Sequence, residues 1–308
     1  MGKLTIGLTV YDDYDGAYFT LQSLRMHHKE VADRLEFVII NNNPNSKQGK
    51  ALAKLTDWVK EPITYVEFTK YNSPFIKGKI FDIADTEYVM VMDCHVLLEG
   101  GAIKKLLDFY DSKKDEGNLL QGPLVYDNLS TVSTHFDLSK WGSHMWGQWA
   151  TDDRGNHPDA VPFEIPAQGM GLFSCRKDSW LGFNSKFRGF GGEEGYIHTK
   201  YKNHEKKTMC LPFLRWVHRF DRPGGIPFNP NLEDRFRNYM IGFDEIGKDT
   251  NEIIKQFKGA VSDQCINKVK NEIKTTNQIN RGSAAVDRSA GRAELKRQLA
   301  ILHNRGSG

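Results

Sequence analysis

Met92-Asp93-Cys94-His95 sets a carboxylate and an imidazole two positions apart, directly after the apolar run Tyr88–Met92. If that run is a strand, alternate side chains share a face, so Asp93 and His95 project together while Cys94 turns away. A hard oxygen and a borderline nitrogen at that spacing suit a divalent ion such as Mn2+. The same letters also fit a strand end with a helix-capping Asp and an incidental His. Two later stretches carry chemistry as well. Gly189-Phe190-Gly191-Gly192-Glu193-Glu194 places paired carboxylates behind a glycine turn. They can be dipole-matched residues of a first helical turn, or acid/base and hydroxyl-binding groups on a cleft wall. Further on, His218 lies among Arg215, Arg219 and Arg222, and guanidinium at that density suits a diphosphate.

These groups need a scaffold, and the first ~110 residues supply its pattern. Leu4–Val10, Leu35–Ile40, Ile63–Phe68 and Tyr88–Met92 read as strands. Helical patterns at Tyr18–Arg25, Ala51–Val59, Ile76–Asp85 and Ala102–Ser112 separate or follow them. Such alternation predicts an α/β fold with a mostly parallel, doubly wound sheet. Ligands of such sheets sit outside the carboxyl ends of the strands, where Asp12, Asn41–Asn43 and Asp93/His95 fall. Past residue 112 the periodicity weakens. Leu119–Tyr126 and Pro166–Arg176 read as strands. Thr131–Asp159, with Trp141, Trp146 and Trp149, reads as an irregular binding loop for flat amphipathic ligands such as sugars or bases, or as Trp packed under a loop. Helical patterns return at Leu232–Ile241, Glu252–Phe257 and Val261–Ile273; a break at Thr275–Gly291 then precedes a basic helix, Arg292–His303.

Composition excludes several classes. With 308 residues, 39% hydrophobic and 26% charged, the chain has the makeup of a globular protein with a sizeable core. No apolar run is long enough to span a bilayer, and the N-terminus enters a strand without a signal region, so a cytoplasmic location is expected. Cys94, Cys175, Cys210 and Cys265 are scattered without CxxC pairs, which indicates neither a zinc site nor a disulfide framework. No Walker loop, nucleophile elbow or GxGxxG occurs. The net charge of +3 is uneven: residues 250–308 hold 11 Lys+Arg and 5 Asp+Glu, hence +6, which leaves −3 for residues 1–249. A basic tail of that kind fits a nucleic-acid or anionic-lipid partner, or a solvated helical surface.

Taken in order, the three motifs resemble those of nucleotide-sugar glycosyltransferases of the GT-A fold, nearest to glycosyltransferase family 2 and the polypeptide N-acetylgalactosaminyltransferases. Asp93-Cys94-His95 is similar to the Asp-x-His variant of the DxD metal motif, Phe190-Gly191-Gly192-Glu193-Glu194 to the Trp/Phe-Gly-Gly-Glu motif, and Val217-His218-Arg219 to the late metal-binding His. The resemblance covers residues 4–225. It implies that Asp93, His95 and His218 hold Mn2+ or Mg2+ against the diphosphate of a UDP-sugar, with Arg219, Arg222 and Lys77 adding positive charge. It also implies a donor pocket lined by Thr9, Tyr11, Asp12, Asn41 and Gly192. Glu193 matches the carboxylate that grips sugar hydroxyls in retaining relatives. Glu194, with Glu193 as fallback, matches the base of inverting ones. Two departures stand out: Asn41-Asn42-Asn43-Pro44 replaces a common Asp-Asp-Gly-Ser, and the second carboxylate is Glu rather than Asp, so the stereochemical outcome stays open.

The expected organisation is a catalytic domain over residues 1–230, with a nucleotide-sugar half near 1–112 and an acceptor half near 113–230, followed by a basic helical extension over 231–308. The expected activity is metal-dependent transfer from a UDP-sugar to an acceptor hydroxyl. That acceptor is a glycan or small molecule, or hydroxymethylated pyrimidine in phage DNA contacted through the basic tail. An inactive sugar-nucleotide-binding scaffold is the alternative of another class.

Overall fold

Strand β1 (Leu4–Val10) explains the layering. Leu4, Ile6 and Leu8 enter one apolar layer, and Gly7 faces the other. In this computed structural model, which describes residues 3–59, 62–71, 73–222 and 224–282 (side chains through Thr275), the chain then alternates. Helix α1 (Tyr14–His27), β2 (Leu35–Asn41), α2 (Lys47–Trp58), β3 (Ile63–Glu67), α3 (Lys77–Ile83) and β4 (Tyr88–Asp93) follow in order. β1 pairs in parallel with β2 and β4, and β2 with β3. Next come β5 (Val96–Leu98), α4 (Ala102–Asp111), β6 (Leu119–Gln121), β7 (Leu124–Val125) and β8 (Val132–Ser133). A hairpin of β9 (His135–Gly142) and β10 (Met145–Ala150) leads to β11 (Phe163–Glu164), β12 (Leu172–Arg176), α5 (Glu193–Asn203), β13 (Thr208–Cys210) and β14 (Trp216–His218). Helices α6 (Leu232–Glu245), α7 (Thr250–Gln256) and α8 (Asp263–Gly282) close the described chain.

The central sheet has eight strands in the order β11-β13-β6-β12-β4-β1-β2-β3. It is mostly parallel: β12 runs against β4 and β6, and β11 against β13. Apolar alternation splits the core between the two faces. Tyr88, Met90 and Met92 of β4 join the layer of α1, α2 and α4; Val89 and Val91 join that of α3, α5 and α6. On the second face α3 lies close to the sheet because residue 7 is glycine. A Cβ there would stand 2.3 Å from Ile80 Cγ2. Phe236, Tyr239, Met240 and Phe243 of α6 share this apolar cluster with Val91 and Trp146. Among the described residues no helix is long and apolar enough to cross a membrane.

Five local expectations are corrected. Leu119–Tyr126 is two strands, β6 in the central sheet and β7 in a four-stranded sheet of order β5-β14-β7-β8, because Gly122-Pro123 breaks it. Proline offers no ladder N–H, and Gly122 passes so close to the Leu214 carbonyl that a Cβ would lie 1.7 Å from it. The strand expected over Pro166–Arg176 is confined to Leu172–Arg176. Much of the irregular loop expected over Thr131–Asp159 is the β9–β10 hairpin; a register shift between Trp146 and Gln148, with Gly147 at φ +100°, disrupts the two-residue period that would have revealed it. Helix α8 continues to Gly282, through the start of the break expected from Thr275; the basic helix expected at Arg292–His303 lies outside the described residues. Helix α2 also begins earlier than its apolar pattern, at Lys47, because the Ser46 side chain accepts from Gly49 N and caps it.

Candidate functional site

Asp93 ends β4, and three residues later the chain enters β5, which pairs antiparallel with β14 so that His218 stands opposite Val96. That register brings the imidazoles of His95 and His218 together, Nε2 to Nε2, at 3.2 Å. Asp93 Oδ2 lies 3.4 Å from His218 Nε2 and 4.0 Å from His95 Nε2. A divalent ion with bonds of ~2.1 Å places neighbouring octahedral donors about 3 Å apart, so this O/N/N triangle fits such an ion with little movement. The tautomer fits too. His95 Nδ1 donates to Asp13 Oδ2 at 2.9 Å, which leaves the Nε2 lone pair facing Asp93 and His218. Burial lowers the His95 pKa despite Asp13, so the ring is neutral and able to ligate.

Cations flank the triangle. Lys77, the first residue of α3, is buried and sets its Nζ 2.7 Å from Asp93 Oδ1 while donating to the Met170 carbonyl at 2.9 Å. Burial alone would raise the Asp93 pKa, but the Lys77 charge and the His218 hydrogen bond hold it far below the usual carboxylate range. Arg219 Nη2 donates to Asp13 Oδ1 at 2.8 Å, and Arg222 Nη2 donates to His95 Nε2 at 2.7 Å. Burial opposes ionisation of Asp13, yet the His95 bond and both arginines leave its pKa lowered. Glu193 and Glu194, 4% and 9% exposed, open α5 against the same cavity of about 430 Å³. Burial raises both their pKa values. For Glu193 the neighbouring Glu194 charge adds to the rise, and its Oε2 is buried with no hydrogen-bond partner among the described residues.

A triad of metal-type donors, a buried lysine and paired carboxylates thus share one cavity, and the fold that carries them is similar to that of several solved proteins. The chain is similar to GalNAc-T7 solved with UDP, GalNAc and Mn2+, at 14% identity over 84% of this chain and 54% of that one, with a TM-score of 0.62. It is similar to S. aureus TarS 1–349 in complex with UDP-GlcNAc, at 11% identity over 82% and 70% of the two chains, TM-score 0.53. It also resembles mannosyltransferase PcManGT from Pyrobaculum calidifontis, solved with GDP-Man and Mn2+, at 12% identity over 98% and 80%, TM-score 0.51. The fold is GT-A. The chain spans about half the length of the GalNAc-T7 chain it matches. Its sequence matches no protein-family model and no curated protein.

Within this GT-A frame most of the expected site residues converge, and some do not. Thr9, Tyr11, Lys77, Asp93, His95, His218, Arg222, Glu193 and Glu194 all line the cavity. Asn41 and Asp12 sit off its wall. Asn41 Nδ2 is used by the Gly49 carbonyl and Tyr65 Oη, and the Asp12 carboxylate accepts from Asn43 and Ser46. Their neighbours Asn42 and Asp13 line it instead. Gly192 stands behind the wall as the left-handed N-cap of α5, and Arg219 reaches the site through Asp13. Lys77 is taken up by Asp93 rather than held free for a phosphate. Of the three Trp, Trp146 is core, packed on Phe243, and Trp141 donates to Glu252, while Trp149 lines the cavity edge-on to Phe136. Asp13 was readable only as one of five acidic or aromatic letters after β1; its N-cap bond to Gly16 is the local signal that separates it from Asp12.

Proposed function

We propose that the chain is a metal-dependent glycosyltransferase moving a sugar from a UDP-sugar to an acceptor hydroxyl. The observation that carries this reading is the convergence of Asp93, His95 and His218 in a cavity that also holds buried Glu193 and Glu194. GalNAc-T7 was solved with UDP and Mn2+, and TarS with UDP-GlcNAc, which supports this donor class. Asp93, His95 and His218 would hold Mn2+ or Mg2+, which, once bound, supplies positive charge against the diphosphate as the sugar–phosphate bond breaks.

The remaining roles belong to the chain's own groups. Arg222, released from His95, and Arg219 offer guanidinium donors to the leaving diphosphate, which keeps the electron pair of the broken C–O bond. Lys77 holds Asp93 ionised and oriented. Thr9, Tyr11 and Asn42 form the nucleoside end of the cavity. Glu193 binds donor-sugar hydroxyls. Glu194 takes the acceptor proton as the acceptor oxygen bonds to the anomeric carbon; burial raises its pKa and with it the basicity of the carboxylate. For the acceptor, Phe136, Trp149, Phe190 and Phe228 offer apolar ring surface. Beyond Lys77 and Arg222, both already paired, no Lys or Arg lines the cavity among the described residues. An uncharged glycan or small hydroxyl compound therefore fits better than a nucleic-acid strand, whose phosphates call for cations.

The test is a nucleotide-release screen over UDP- and GDP-sugars with Mn2+, with neutral glycosides and with hydroxymethylated DNA as acceptors. Turnover with a UDP-sugar and a neutral acceptor is expected, and Asp93→Ala should abolish it while the protein stays folded. Undiminished turnover by that variant would refute the metal assignment.

A further inference from the structure

Helix α5 starts without a cap of its own. Its N-cap residue is Gly192, which has no side chain to receive the first free N–H groups, and the loop before it holds Gly189, Gly191 and Gly192 at φ +60°, +97° and +102°. Three glycines in the left-handed region give a chain with unusual freedom. Yet Glu193 and Glu194 follow at once and have to be placed accurately. The placement comes from 47 residues downstream. Asn238 of α6 is wholly buried, donates through Nδ2 to the Arg188 carbonyl at 2.7 Å and the Gly191 carbonyl at 2.9 Å, and accepts from Arg188 N at 3.0 Å through Oδ1. Three of the four hydrogen bonds an amide side chain can make are spent on this loop. A Cβ on Gly192 would lie 3.1 Å from Asn238 Cβ, so the helix start abuts the same residue. From the other side, Ser73, just ahead of α3 and Lys77, donates to the Gly189 carbonyl at 2.9 Å. The next residue of α6, Tyr239, accepts from Trp146 N and ties the β9–β10 hairpin to the same helix.

We infer that Asn238 is the positioning residue of the carboxylate pair, so that α6 is part of the active-site apparatus and not an appendage to it. The inference rests on the proposed transfer reaction for its kinetic readout, and on the loop geometry alone for its structural one. Asparagine is required at this site because only it presents two donors to the two carbonyls and an acceptor to the N–H within one short side chain. Asn238→Asp keeps the volume but turns oxygens toward the Arg188 and Gly191 carbonyls. Asn238→Ala removes all three bonds.

Both variants should be made in the full chain, with Glu233→Ala, on the exposed side of α6, as the control. Amide hydrogen exchange of residues 188–194 is expected to speed up at least about tenfold in both variants, with peptides of β1 and β4 unchanged. The affinity for UDP with Mn2+ should stay within about threefold of the parent, since the metal triad is built on other elements. Turnover should fall on the order of 10²-fold in kcat, the scale expected for a reacting group displaced by about 1 Å. If Asn238→Ala does not fold, Asn238→Asp carries the test. A folded variant with unchanged exchange at 188–194, or with loosened exchange but undiminished kcat, overturns the inference. So does a parallel loss of UDP affinity and kcat, which would mark a general structural role. A parent protein that turns over no donor would sink the proposed reaction instead, and the exchange measurement would still decide whether Asn238 fixes the loop.

Discussion

Replacing Asp13 by asparagine should weaken divalent-ion binding without unfolding the protein, and the reason lies in which oxygen has which partner. Oδ1 of Asp13 accepts from Gly16 N at 3.1 Å, capping α1, and from Arg219 at 2.8 Å. Both partners are donors, so the single oxygen of an asparagine is held in that position. The amide nitrogen is then forced to the place of Oδ2, which faces His95 Nδ1 at 2.9 Å. Two N–H groups cannot donate to each other. His95 must therefore move its proton to Nε2, the nitrogen facing Asp93 and His218, or leave a buried donor unmatched. Such a mismatch costs about 1–3 kcal/mol, which at 1.4 kcal/mol per tenfold is roughly a 5- to 140-fold loss. That range covers the ~10–100-fold typical of changes to groups behind metal-bound histidines. The cap itself survives, since Asn and Asp serve equally at an N-cap. Mn2+ affinity by electron paramagnetic resonance, with and without UDP, reads the effect directly. A folded Asp13→Asn protein binding Mn2+ within twofold of the parent would refute the reasoning.

Three further outcomes follow from the same geometry. Arg222 Nη2 donates to the very His95 nitrogen a metal would use, so Arg222→Ala should bind Mn2+ several-fold more tightly without nucleotide and UDP more weakly with it; weaker Mn2+ binding by the variant would contradict this. Glu193 has a raised pKa in the folded state, chiefly from burial and then from the Glu194 charge, so the native protein binds more protons than the unfolded chain above the ordinary carboxylate pKa. Its contribution to stability therefore falls as pH rises through that window, and Glu193→Gln should raise Tm increasingly toward neutral and mildly alkaline pH while turnover drops; a pH-independent Tm difference would count against it. Gly7→Ala should lower stability by ~1–3 kcal/mol, because the new methyl overlaps Ile80 and pushes α3, with Lys77, off the sheet; denaturant unfolding with an unchanged midpoint would show that α3 is not so closely held.

What the sequence made legible was decided by local periodicity. In β1, β2 and β4 the apolar residues come in runs bounded by turn letters, so these strands were readable, and with them the end of the sheet where ligands sit. Asp93-Cys94-His95 alone fits a strand end as well as a metal site; only together with Glu193-Glu194 and His218 did the letters point to one cleft, the cavity these residues share. Choosing between Asp12 and Asp13 needed something else. Asp12 sits at φ +47° and turns its carboxylate to Asn43 and Ser46, whereas Asp13 caps α1 and faces His95. That one-residue distinction is conformational, and the letters on either side do not contain it.

The second half resisted for a related reason. β7, β8 and β11 are only two residues long, too short for any period to announce them. Asn238 is the sharpest case. It lies mid-helix in a stretch with no motif, where asparagine is a poor helix former, and its local context suggests only a tolerated polar residue. Its burial runs against that propensity, and the conflict is resolved by a loop 47 residues earlier that glycine makes too free to hold itself. A polar residue with poor helix propensity at a core position of an amphipathic helix is thus a sign that some remote backbone needs its hydrogen bonds. Here that backbone is the one carrying the two carboxylates, so on the proposed reading helix α6 positions the site as β4 does.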